Sequence, residues 1–410
     1  MAVLDQGLFA GAHFALNVLL ARWLSPESYG AFALSYSIFL FVAAVHTALI
    51  TEPMMVFGSG KYRENASSYL GSLLGGHAAL TVAGAMVLAV IAAACAGIYS
   101  PEVRRTLFTL SVCLFPLLLL WVTRRAFYFD FRPGWAVVGG VIYFLLLVTF
   151  AGGLYRAGLL SSATGVLSMA GASLLAVGLH LGRLRPSWAA GGRGLLLEVF
   201  REHWRYGRWA LGSAFVSWFP MNIYYLALPL WRGLEEAGSL RALMNLANPL
   251  LHSITAISLL LFPVLVRHQQ KGRRDLMARA GWRFFWLFAF GSAAYLGPLW
   301  LFQREVFEIL YGGKYAADSG WPLLLAGALP VGCAGTVVLG NILRACERPD
   351  GVFWSYLVAS PLAVGMGLAL SARFGLSGAL AGMLAAHALT ALAMMVNLRR
   401  LPSGEGVAQA

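Results

Sequence analysis

"LGSLLGGHAALTVAGAMVLAVIAAACAGI" occupies Leu70–Ile98, and His77 and Cys95 are its only ionisable side chains. A helix needs about 20 predominantly apolar residues to cross the hydrocarbon of a bilayer. Within lipid every backbone polar group must pair inside its own segment, so a run of this length reads as a spanning helix. The rest of the chain is of the same kind. Its 410 residues are 59% hydrophobic and 11% charged, against about 25% charged in soluble domains. A single large soluble core does not fit apolar runs this long.

Working outward from that stretch, twelve apolar segments lie near 4–21, 30–50, 70–98, 106–122, 134–154, 159–180, 207–230, 239–266, 283–302, 321–343, 352–372 and 376–397. The first lacks the basic flank and cleavage site of a secretory leader and reads as a span. With the amino terminus placed in the cytoplasm, 21 of the 30 Lys and Arg residues fall in inside segments. That bias supports both termini inside. It also accounts for the net charge of +13 without a nucleic-acid partner, and the basic run "RHQQKGRRD" (267–275) becomes an inside loop facing lipid phosphates. The longest inside connection holds "LLLEVFREHWRYG" (195–207), whose apolar residues at helical spacing suit the membrane interface. The longest outside loop, 303–320, is too short for a catalytic domain. Cys95, Cys113, Cys333 and Cys346 form no CxxC pair or Cys/His cluster and read as small apolar fillers.

The expected architecture is an all-α polytopic membrane protein of twelve transmembrane helices in two pseudo-symmetric six-helix bundles. Residues 1–182 form the first bundle and 183–206 a cytoplasmic interfacial linker. Residues 207–400 form the second bundle and 401–410 a cytoplasmic tail. The division rests partly on an internal echo. Trp23, Glu27 and Gly30 in "RWLSPESYG" recur at one constant offset as Trp231, Glu235 and Gly238 in "LWRGLEEAG", each set following the first span of its half. Two same-side repeats imply a pseudo-two-fold axis along the membrane normal, and transporters built this way bind substrate between their halves near the midplane.

Two spans carry polar stripes. At about 100° per residue, Arg241, Asn245, Asn248 and His252 fall within about 60° of one another on the eighth span. Asn248 and His252 then lie near mid-membrane, where a charged residue costs about 2.5–3.5 kcal/mol on insertion scales. Such a face belongs against a water-filled path or a partner helix. Pro249 removes the N–H that would bond the Asn245 carbonyl and predicts a broken helix. On the first span Gln6, His13 and Asn17 share a similar stripe. Asp5, His46 and Glu52 add ionisable groups as candidates for ion coupling. The simpler alternatives stand beside these readings. Asn and His also serve as helix-to-helix bonds, Arg22 and Arg241 can snorkel to the outer interface, His46 can be a packed histidine, and Glu52 an interfacial carboxylate.

Several chemistries are excluded. "GSGKY" (58–62) lacks the upstream Gly and following Ser or Thr of a phosphate-binding loop. The aspartates form no Asp-x-Asp pair, and neither HExxH nor GxSxG occurs. "NAS" (65–67) falls on the inside and is discounted as a glycosylation acceptor. No enzyme activity, metal or cofactor is expected.

Leu20, Ala21, Arg22, Leu24, Pro26, Tyr29 and Gly30 in "LLARWLSPESYGAF" resemble the segment after the first span of the polysaccharide (O-antigen and exopolysaccharide) flippases of the MOP, or MATE-like, superfamily. "ILYGGKYAADSGWPLLLAG" (309–327), through Tyr311, Gly312 and Tyr315, is similar to that family's segment before span ten. "ILRACERPD" (342–350) and "FGLSGALAG" (374–382) are similar to its last inner loop and final span. The resemblance covers the whole chain through short motifs. It implies two bundles of six helices around a central cavity and alternating access. The implied substrate is a polyprenyl-diphosphate-linked oligosaccharide, moved across a bacterial inner membrane for surface polysaccharide assembly. It implies a cation for the diphosphate, for which Arg124, Arg208 and Arg241 (with Arg125) are the candidates at span ends, and sugar-facing polar groups matching Gln6, His13, Asn17, Asn245, Asn248 and His252. The partners implied are the lipid-linked glycan, membrane lipids and polysaccharide polymerase machinery. A MATE-like multidrug or metabolite exporter is the alternative, and would favour acidic groups deep in the bundle. A membrane-embedded polymerase or ligase would need a larger outer loop.

Overall fold

The computed structural model describes residues 1–129, 132–187, 192–315 and 320–400, so the expected tail lies outside the described residues. Among these residues the chain is helical, with a single isolated β-bridge between Ala96 and Tyr99. In chain order the helices are α1 (Ala2–Trp23), α2 (Pro26–His46), α3 (Glu52–Ser59), α4 (Ala66–Ala94), α5 (Pro101–Phe129), α6 (Pro133–Arg156) and α7 (Ser162–Leu184). They continue as α8 (Gly192–Asn222), α9 (Tyr224–Trp231), α10 (Leu234–Gln270), α11 (Arg274–Leu301), α12 (Gln303–Tyr311), α13 (Gly320–Ala345) and α14 (Pro349–Arg399).

The helix starts follow local chemistry. Ser25 caps α2 by accepting the Ser28 amide at 3.1 Å, with Pro26 at the first helical position, where its missing N–H costs nothing. Ser161 and Thr164 close a reciprocal capping box at the start of α7. Nine helical segments among the described residues are long and apolar enough to cross a membrane. The last of these, Pro349–Arg399, holds both the eleventh and twelfth expected spans and kinks at Gly375, whose φ of 55° suits glycine. The first and seventh expected spans are α1 and the α8–α9 pair, which breaks after Asn222.

Two prolines act differently from one another. α2 runs past its expected inner end through a π-helical turn, Thr47–Thr51, into α3. Pro53 has no N–H to offer the Leu49 carbonyl, and the ladder widens there. The break expected at Pro249 does not occur. α10 stays helical from Leu234 to Gln270 through both Pro249 and Pro263, because membrane helices tolerate proline where side chains re-satisfy the backbone.

The chain divides into two units. One comprises 1–215 with 233–238 and 310–312, the other 216–232, 239–309 and the remainder from 313. In the first, α5 is the hub against which α7, α4, α2 and α6 pack, and α1 lies on α6. In the second, α13 is the hub against α14 and α11, and α9 lies on α14. There the Tyr224 hydroxyl nests where a side chain on Gly367 or Gly382 would overlap it. The second core gathers Ile254, Leu265, Phe284, Phe288 and Ala334. Counting spans within each half, the hub is the fourth in both, its neighbours the third and sixth. The weak sequence echo is therefore a repeat of packing.

Its sharpest trace lies inside the first unit. A Cβ on Gly30 would overlap the Leu234 carbonyl oxygen, and a Cβ on Gly238 would lie 2.8 Å from the Pro26 carbonyl oxygen. Gly30 and Gly238 are repeat mates, and so are Pro26 and Leu234. The contact is reciprocal, and its closeness requires glycine at both positions.

Candidate functional site

The polar groups of α1 divide between a buried ion pair and bonds to α2. Asp5 is fully buried. Its carboxylate accepts Nε and Nη2 of Arg124 at 3.0 and 2.8 Å and the Tyr128 hydroxyl at 2.5 Å. The Arg124 guanidinium also lies 3.9 Å from the Phe9 ring centroid. A bidentate pair with a third donor is what makes burial of two charges tolerable. The expected diphosphate ligand and the expected ion-coupling carboxylate are thus each other's partners, joined by helices distant in sequence. Arg125, one residue on, donates to Thr51 Oγ1 at 3.3 Å. Gln6 is exposed. Half-buried His13 places Nδ1 3.1 Å from the Tyr36 hydroxyl. Asn17 donates to the His13 carbonyl at 2.8 Å and accepts from Tyr29 at 3.4 Å. His13 and Asn17 therefore tie α1 to α2.

His46, the last residue of α2, is buried with Nε2 3.0 Å from Nδ1 of His77 on α4. His77 was visible in sequence only as a lone histidine in an apolar run. Glu52, just beyond the π-turn, is exposed, accepts the Tyr206 hydroxyl at 3.2 Å, and edges a cavity of about 260 Å³ lined also by Leu40, Thr47, Trp121 and Ala210. Two further buried histidines bond within this unit. His180 meets Thr123 at 2.9 Å. His203 contacts the Leu49 carbonyl through Nδ1 at 3.0 Å and Tyr69 through Nε2 at 2.8 Å. His203 so serves the very carbonyl that Pro53 leaves without its helical donor. Burial pushes the His203 imidazole down to about 4, so it is neutral, with the proton on Nδ1 and Nε2 accepting from tyrosine.

The first part of α8 is clasped to the loop before α4. Lys61 Nζ bonds Glu198 at 2.6 Å and Glu202 at 2.5 Å. The Tyr62 hydroxyl donates to Glu202 at 2.8 Å. The lysine's partners raise its own pKa and hold the Glu198 carboxyl below its usual range. Burial, then the bond to Glu202, pushes Tyr62 up to about 12. Arg208 further along α8 is exposed, its guanidinium 5.5 Å from the Trp209 ring centroid.

In the second unit the α10 stripe grades from buried to open. Arg241 is buried, 5.9 Å from the Tyr225 ring centroid. Asn245 is buried, Asn248 half-buried and His252 exposed. The described residues hold no group of three or more metal-ligating side chains.

No family model matches the sequence, and no curated protein matches it. Among solved structures the chain is similar to the inward-facing conformation of a multidrug resistance MATE family transporter of the MOP superfamily, with a TM-score of 0.73 at 14% identity over 96% of this chain and 94% of that one. It is similar to the lipid II flippase MurJ in an inward closed conformation, with a TM-score of 0.74 at 12% identity over 97% and 88%. It is also similar to the eukaryotic MATE transporter AtDTX14, with a TM-score of 0.64 at 16% identity over 97% and 95%. Likeness at these identities is likeness of fold, and the chain has the all-helical MATE/MOP fold.

Proposed function

We propose that this protein is a carrier, not an enzyme. It moves a polyprenyl-diphosphate-linked oligosaccharide across a bacterial inner membrane by alternating access, with both termini cytoplasmic, for surface polysaccharide assembly. The six-span bundles of this reading are 1–182 and 207–400, joined by the interfacial segment 183–206. The observation that carries it is the sign of the interior. Among the described residues the buried charged side chains are two arginines, Arg124 and Arg241, and one carboxylate, Asp5. An interior of that balance suits an anionic headgroup better than a small cation. Gln6, His13 and Asn17 on α1, and Asn245, Asn248 and His252 on α10, are the proposed glycan-facing groups. Arg241 and Arg208 are the proposed phosphate contacts, and Arg124 is held by Asp5. His46 and Glu52 stay as coupling groups for an ion, and hand-over to a polysaccharide polymerase is the proposed next step.

A second reading, a MATE-like exporter of small molecules, is favoured by the fold likeness to MATE transporters. Deletion in the native host separates the two. Accumulated lipid-linked oligosaccharide with loss of surface glycan, both restored by the intact gene, supports the flippase. Unchanged precursor and glycan, with altered efflux of small cations, supports the exporter.

A further inference from the structure

One end of the first unit bears a pocket of about 710 Å³ where α5 and α7 begin, lined by Arg104, Arg105, Phe108, Thr109, Ser161 and Ser162. Three effects oppose two adjacent arginines here. The positive end of the α5 dipole disfavours cations in its first turns, like charges repel, and under the orientation proposed above this is the outer side, where Lys and Arg are scarce. Glu102, in the same first turn, offsets these costs only in part, since it makes no ion pair with either arginine. Neither guanidinium has a hydrogen-bond or ion-pair partner among the described residues. Glu102, which also lines the pocket, accepts the Ser28 hydroxyl at 3.0 Å and the Ser162 hydroxyl at 2.8 Å. A local conflict that is only partly compensated is where a functional site is expected.

The surface continuing from the pair names the ligand's other end. Phe108, Val112 and Phe115 are 40%, 78% and 39% exposed. They follow Arg104 along α5 within about 80° of arc. A cationic, open head above an exposed apolar face has the shape of a site for an anionic amphiphile. Two neighbouring guanidiniums suit the successive phosphates of a diphosphate, each a planar fork of donors. The volume leaves room beyond the phosphates for a sugar.

We infer that this pocket holds the diphosphate of the lipid-linked substrate on the outer side, with the polyprenyl chain lying along Phe108, Val112 and Phe115. This assignment rests on the flippase reading. The test is native mass spectrometry of the purified full chain offered undecaprenyl diphosphate and, in a parallel arm, phosphatidylglycerol. The variants are R104Q/R105Q and, as an equal loss of exposed charge elsewhere, R399Q/R400Q. Wild type and R399Q/R400Q are expected to retain undecaprenyl diphosphate in preference to phosphatidylglycerol. R104Q/R105Q, with an unchanged melting temperature, is expected to lose about tenfold or more of that retention, as removal of charge-assisted bonds predicts. Equal retention by R104Q/R105Q overturns the site, as does a loss shared equally by R399Q/R400Q. Equal loss of both lipids makes it an anionic phospholipid site and overturns the diphosphate assignment. The deletion phenotype is a separate readout, so a flippase without this site and a site on a non-flippase are distinguishable.

Discussion

At the scale of the residue, the Asp5–Arg124 pair was not legible, because sequence spacing says nothing about which of several span-end charges meet across a bundle. Both side chains are buried and three hydrogen bonds converge on the carboxylate. Asp5→Asn leaves Arg124 as an uncompensated buried cation and should destabilise the protein by about 3–5 kcal/mol. Asp5→Asn with Arg124→Gln should cost clearly less than the sum of the single changes, read from unfolding midpoints in detergent. Additive losses would mean the two charges do not interact. His203 gives a pH-dependent counterpart. Its imidazole is held at about 4 from an ordinary 6.5, so between those values the unfolded chain binds a proton that the folded one does not. Stability should therefore fall as the pH drops through this window, by about 2 kcal/mol at pH 5 from this one group. The comparison is the difference in melting temperature between pH 7.5 and pH 5, which should be smaller in His203→Gln than in wild type. An identical difference in the two proteins would remove His203 as a source of acid sensitivity.

At the scale of the element, hydropathy was the reliable signal. The long apolar runs became helices because lipid leaves them no other way to satisfy their backbone. Prolines were harder to read. Pro249 and Pro53 are equivalent as residues, yet α10 remains helical while α2 takes a π-turn, where the carbonyl that Pro53 frees is served by a tertiary partner, His203, that sequence does not announce. The repeated Trp, Glu and Gly gave a faint signal of two halves, and its physical basis is the reciprocal approach of Gly30 and Gly238 to opposing backbone carbonyls. Backbone cannot yield as a side-chain tip can. Gly30→Ala and Gly238→Ala should each destabilise the protein by about 1–3 kcal/mol, non-additively because they share one contact. Gly291, with nothing within 4 Å of a built Cβ, is the control. Gly291→Ala should be neutral or slightly stabilising through helix propensity. Unfolding midpoints that do not distinguish these positions would contradict the close crossing.

At the scale of the whole molecule, the basic bias of the loops and the polar stripes of the spans are different layers of one sequence. Loop basicity sets which way the helices insert, and the stripes persist within an otherwise apolar chain. The α1 stripe is largely absorbed in bonds between helices, since His13 and Asn17 contact Tyr36 and Tyr29. The α10 stripe differs, because Asn248 is half-buried and His252 exposed, on a span whose expected depth would make exposure to hydrocarbon unfavourable. These two side chains therefore offer the cleanest separation of transport from folding. Replacing both with leucine removes polar groups without creating a cavity or stranding a buried partner, so Asn248→Leu with His252→Leu should leave expression and melting temperature within about 1 kcal/mol of wild type. If the stripe contacts the passing glycan, the same protein should fail to restore surface polysaccharide in a deletion strain, and lipid-linked precursor should accumulate as it does without the gene. Full restoration of surface glycan by the well-folded double variant would show that the stripe has no part in transport, and would shift the proposed contacts to Arg241 and to the arginine pocket at the start of α5.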